Sequence, residues 1–152
     1  MTPPKLGQSA EQLSNITDLP DGVVDASATY SSSLSGFTRS YFLEVQIEIA
    51  DDVVVADAAD EAVLQWAWQL GWSVNDHDPT GVYVRLVSAS GAPVEWDYEG
   101  AYEAVGLDRK LTTIPNGDSP WIGASARDLE SLYGAWPGSV PVPPASLFTP
   151  AS

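Results

Sequence analysis

The chain has no cysteine and a single histidine, His77, among its 152 residues. Without thiols it can build no disulfide framework, no thiolate nucleophile and no Cys-ligated zinc. With one imidazole, it has no second histidine to complete a tight metal site. Basic residues are scarce: six Lys and Arg stand against 21 Asp and Glu, for a net charge of −15. Such a field repels phosphates and anionic head groups, so direct nucleic-acid binding is disfavoured; it suits instead the attraction of a basic partner or the imitation of a phosphate backbone. The same acidity also serves plain solubility. Long hydrophobic runs are missing too, and nothing approaches the roughly 20 apolar residues of a transmembrane segment. Met1-Thr2-Pro3-Pro4-Lys5 lacks the basic, apolar, small-residue order of a secretory signal. Two origins fit: a cytoplasmic protein, or an exported one whose leader was removed and a start Met supplied.

What is present suits one folded domain. The apolar fraction is 44%, and six Trp and six Tyr supply large surfaces to bury. In Leu43-Glu44-Val45-Gln46-Ile47-Glu48-Ile49 apolar and polar residues alternate, the period of a strand with one wet face. In residues 62–70 only Gln65 and Gln69 are polar, four apart on one stripe, which predicts a helix buried over most of its circumference.

Around this pair the punctuation predicts further elements. Ser9 and Gln12 have the spacing of a capping box. Residues 23–30 alternate as a first strand, 31–38 form a polar connection, and 39–49 form the second strand. Asp57 is the expected N-cap of the main helix and Gly71 its stop. Val53-Val54-Val55 has no secure place. A third strand is expected at 82–87, a short one near 93–96, a helix at 98–105, an irregular stretch at 107–120 with a turn at 115–118, and a last helix at 125–133. The domain organisation follows: a flexible tail at 1–8, one domain at 9–134, and a proline-rich strap at 135–152. The expected fold is α+β, an antiparallel sheet of three or four strands with helices on one face and a split β-α-β, ferredoxin-like character.

No motif carries chemistry. Asn75-Asp76-His77-Asp78-Pro79 puts carboxylates beside the imidazole, yet adjacent residues seldom converge on one ion and such loops make turns and caps. The acidic run of Asp51, Asp52, Asp57, Asp60 and Glu61 lacks the glycine and ligand order of a calcium loop. Glu95, Asp97 and Glu99 would share one strand face, but acidic residues are the default surface here. The expectation is no enzyme, no catalytic residues, no metal and no cofactor. Exposed aromatics remain as partner-binding candidates: Trp68, Trp72, Tyr83 and Trp96, each placed where its element points away from the core or ends.

Leu19-Pro20-Asp21-Gly22-Val23-Val24, the strand at 42–49, Gly71-Trp72-Ser73-Val74-Asn75-Asp76-His77-Asp78-Pro79 and Tyr133-Gly134-Ala135-Trp136-Pro137-Gly138 resemble a group of small uncharacterised lipoproteins and exported proteins of actinobacteria. The resemblance covers about residues 19–140. It implies a cell-envelope location and offers no catalytic residues, and the lipid-bearing cysteine of such proteins is absent here. Two functions are therefore expected: a non-enzymatic binding or accessory module, or an acidic inhibitor of phage type that imitates nucleic-acid phosphates. The oligomeric state is not legible.

Overall fold

A computed structural model describes residues 7–16, 19–107, 111–113, 119–144 and 146–151. The elements run α1 (Ala10–Ser14), β1 (Val23–Ser35), β2 (Thr38–Ile49), β3 (Val53–Val55), α2 (Asp60–Trp72), β4 (Gly81–Ser88), α3 (Tyr98–Val105), β5 (Leu111–Thr113), β6 (Trp121–Ser125), α4 (Ala126–Tyr133) and β7 (Phe148–Pro150). The class is α+β.

The main sheet has five strands in the order β1-β2-β4-β6-β5. Every pairing is antiparallel except β2 with β4, which run parallel. The sheet is therefore mixed, not the purely antiparallel sheet of three or four strands that local alternation suggested. The reason is α2: a crossover helix returns the chain to the side from which β2 began, so the next strand must run parallel. Because β4 sits directly beside β2, this β-α-β unit is unsplit, unlike the split arrangement expected.

Alternation along the strands gives the sheet its inner face. Leu43, Val45, Ile47 and Ile49 of β2, Val82, Val84 and Leu86 of β4, and Ile122 and Ala124 of β6 are all buried. Against them lie Leu13 of α1, Val63, Leu64, Trp66, Trp68 and Leu70 of α2, Tyr102 of α3 and Leu129 of α4. All four helices thus share one face. On β1 the inward residues are the small Ala26 and Ala28, which lets the short α1 come close. Ser9 caps α1 in a reciprocal capping box with Gln12, as the sequence implied.

Other expectations shift. Helix α2 starts at Asp60 behind Ala59, which makes no side-chain cap, so Asp57 does not cap it. Gly71 is not a stop but the penultimate helical residue, and a Cβ there would collide with Val82 and crowd Val45. The glycine lets α2 touch the sheet. The polar connection expected at 31–38 is mostly strand: β1 and β2 pair up to Ser35 and Thr38 around the turn Gly36-Phe37. Gly36 has φ 62, which suits the first central position of a II′ turn. No strand forms near 93–96, where only an isolated bridge joins Val87 to Pro93. Strands β5 and β6 fall in stretches whose local pattern announced none. The turn expected at 115–118 lies outside the described residues.

The chain ends also join the fold. Gln8, assigned by the sequence to the tail, is buried, and its backbone bonds both Ser73 and Asn75. In the strap, Leu147 is 2% and Phe148 8% exposed, and β7 pairs antiparallel with β3. The unplaced valines thereby find their partner.

Candidate binding face

Among the described residues, the opposite face of the sheet carries no helix. Its residues alternate with the core set: Phe42, Glu44, Gln46 and Glu48 of β2, Tyr83, Arg85 and Val87 of β4, Trp121 and Gly123 of β6. Phe42, Tyr83 and Trp121 are half-buried and stand apart from the core cluster. Phe42 and Tyr83 lie 6.1 Å apart at 55°, a tilted aromatic pair.

Arg85 organises the centre of this face. Its Nε and Nη2 donate to Gln46 Oε1 at 2.9 and 2.6 Å. Its guanidinium carbon lies 4.3 Å from the Trp121 ring centroid, in cation–π contact. The fork is held on two sides, so it costs little ordering when something else contacts it. Tyr83 owes its position to Gly123, whose missing Cβ leaves room for the phenol ring. On the β1 side the carboxylates gather: Asp25 stands directly opposite Glu48, and Glu44 lies two steps along the same face, beyond Gln46. Like charges facing each other across a pair of strands are destabilising, and a cation between them relieves that cost.

Of the four aromatics expected at a surface, Tyr83 is on this face. Trp68 is not available: it is fully buried against Tyr102 and donates its indole N–H to Ile122 O. Trp72 is 2% exposed and donates to Gly134 O at 2.9 Å. The stripe they share on α2 is covered by β6 and by the segment after α4, which the helix pattern alone could not reveal. Trp96 is half-buried, packs on the core beside Tyr98, and buries an indole nitrogen that has no hydrogen-bond partner among the described residues. Phe42, Arg85 and Trp121 were missed. Phe42 had a signal, an aromatic on the polar side of a clean alternation; Trp121 had none, because its strand is too short to read.

The other candidates resolve into structure. His77 stacks on Tyr41 at 4.4 Å and 6°, with Tyr30 edge-on at 5.0 Å. The Tyr30 hydroxyl accepts from the His77 backbone N–H and donates to its carbonyl, both at 3.0 Å. Burial raises the Tyr30 phenol above its usual range, keeping it a donor. Asp76 accepts from the Ala10 N–H at the start of α1. Asp97 caps α3 through Gly100 N–H, so Glu95, Asp97 and Glu99 do not line up on a strand. Among the described residues no three of His, Asp and Glu converge to hold a metal, and no helix is long and apolar enough to cross a membrane.

A cleft of about 550 Å³ lies between Trp72, Pro79, Thr80, Arg127 and Trp136. Its two indole N–H groups are already given to the carbonyls of Gly134 and Val74. Asp78 and Glu130 line it as well, beside Arg127.

No protein-family model, curated protein or solved structure matches this chain.

Proposed function

We propose that this chain is a non-enzymatic binding or accessory module that takes a basic protein partner on the open face of its sheet. The observation that carries the reading is the clamped Arg85 between Gln46 and Trp121, flanked by Phe42 and Tyr83. A preformed cluster of aromatic and arginine side chains is the usual make-up of a binding hot spot. Asp25, Glu44 and Glu48 beside it supply the acidic rim that steers a cationic partner. The envelope location implied by the resemblance belongs to the same proposal, and fractionation of the source cells checks it.

The test is capture of partners by immobilised full-length chain at two salt concentrations, with Tyr83→Ala and Trp121→Ala beside the unmodified protein. Loss of the captured partner in both variants, with weaker capture at high salt, supports the reading. A partner retained by both variants but displaced by duplex DNA supports the phosphate-mimic inhibitor instead. Turnover of a small substrate that disappears in Glu95→Gln or Asp97→Asn would restore an enzyme.

A further inference from the structure

The two edges of the main sheet are not alike. The β5 edge has three residues, and shortness alone makes it a poor template. The β1 edge has thirteen. Proteins usually blunt such an edge with lysine, proline or a bulge. Here β1 contains neither lysine nor proline, and its one irregularity lies at its start, between Val23 and Asp25. Beyond that point the pairing with β2 is regular to the turn.

Backbone geometry identifies which groups are open. In a hairpin closed by two residues, the closing pair Ser35 and Thr38 exchange hydrogen bonds, and such pairs then alternate along the ladder. The N–H and C=O of Ala28, Tyr30, Ser32 and Leu34 therefore point away from β2. Among the described residues no hydrogen bond joins the backbone of residues 28–34 to anything but β2. Helix α1 packs near β1, but its own backbone bonds stay within the helix or go to Asp76. Residues 31–34 are exposed, Leu34 at 63%.

Charge decides what can occupy the edge. The chain carries −15 overall, yet between Asp25 and Glu44 it has no carboxylate. Two copies approaching by most other surfaces meet carboxylates; along this stretch the one formal charge is Arg39, whose Nη1 donates to Ser32 Oγ. The stretch also complements itself. Antiparallel pairing about a two-fold axis at Ser31 sets Leu34 across from Ala28, Tyr30 across from Ser32 and Thr29 across from Ser33. The open donors and acceptors then face one another, and the exposed Leu34 covers a small residue that already packs on the core. We infer that residues 28–34 of β1 pair with the same residues of a second copy, joining two sheets into one continuous sheet across an isologous interface. This contact is separate from the open-face reading and does not depend on it.

Salt separates the two contacts by sign. Screening weakens the grip of an acidic face on a basic partner, whereas it strengthens association of two chains of like charge. The experiment is analytical ultracentrifugation of the full chain from low to high micromolar concentration, at low and high salt. A reversible monomer–dimer equilibrium that tightens with salt is expected. Ser32→Pro removes an N–H that points away from β2, together with the hydroxyl that accepts from Arg39 Nη1 at 3.3 Å; the backbone ladder to β2 is untouched, so the hairpin persists while the dimer constant weakens by more than about tenfold. Ser32→Lys, which keeps the backbone donor and adds charge to the edge, gives the second reading if the proline variant folds poorly. Circular dichroism of both variants should match the unmodified chain. A chain that stays monomeric throughout overturns the inference. So does a dimer that persists in both folded variants, or an edge whose amides at 30, 32 and 34 gain exchange protection only with an added foreign peptide.

Discussion

The phenol ring of Tyr83 lies against Gly123, and a Cβ placed on that glycine would come within 2.5 Å of the ring. The two residues are register partners on β4 and β6. The one glycine thus sets where the candidate face holds its tyrosine.

Gly123→Ala should move Tyr83 and lower stability by about 1–3 kcal/mol, the cost of overfilling a packed site. Thermal melts of Gly123→Ala in the unmodified and Tyr83→Ala backgrounds measure the coupling. The substitution should cost clearly less once the ring is gone; an equal cost would place the strain at the Leu111 carbonyl, 3.0 Å from the same Cβ, and not at Tyr83.

Leu147→Ala should destabilise the protein by about 2–5 kcal/mol, as for other large-to-small changes at buried sites. The side chain is 2% exposed although it sits in a proline-rich stretch. Denaturant unfolding checks this, and a loss below about 1 kcal/mol would mean that the stretch detaches without cost.

His77→Ala should cost only about 0.5–1.5 kcal/mol, the worth of an aromatic contact beyond simple burial, because the ring is exposed and its backbone holds the Tyr30 hydroxyl in any case. His77→Phe, which keeps a ring over Tyr41, should recover most of it. Tight stoichiometric metal lost in His77→Ala would contradict this structural role.

Stability should be level at neutral and mildly alkaline pH and then fall. Burial raises the phenols of Tyr30, Tyr102 and Tyr133 above the usual tyrosine value near 10. A group whose folded pKa is raised contributes stability that is fully present below its unfolded value and is lost as pH rises toward the folded one. Melting temperature should therefore decline above about pH 10. Tyr133→Phe, which loses one hydrogen bond to Gln65, should soften that decline. A melting temperature unchanged at strongly alkaline pH would show that these phenols ionise without unfolding.

Legibility in this chain follows the range of the interactions. Helix α2 and strand β2 were readable because each carries its burial pattern within a dozen residues. The capping box at Ser9 is equally local. The serine-rich half of β1 was not readable: it lies in the sheet through backbone pairing, which leaves no hydrophobic alternation. Nor were Val53-Val54-Val55, whose partner strand begins at Phe148. The candidate face divides the same way. Tyr83 showed in the alternation of its strand, whereas the clamp on Arg85 exists only once β2 and β6 are laid on either side of β4. Trp68 and Trp72 were misplaced because a helical stripe does not say whether another element covers it.

The pairing of β3 with β7 has a consequence for how the protein is made. A ribosome releases Val53-Val54-Val55 long before it reaches Phe148, and the Asp52 carbonyl waits for the N–H of Ala151. Through most of translation the nascent chain displays an unpaired apolar strand beside a core that Leu147 has not yet closed. Products that stop short of that leucine would lack the partner of this edge, and an unpaired apolar strand is a template for aggregation, whereas in the folded chain Phe148–Pro150 covers it.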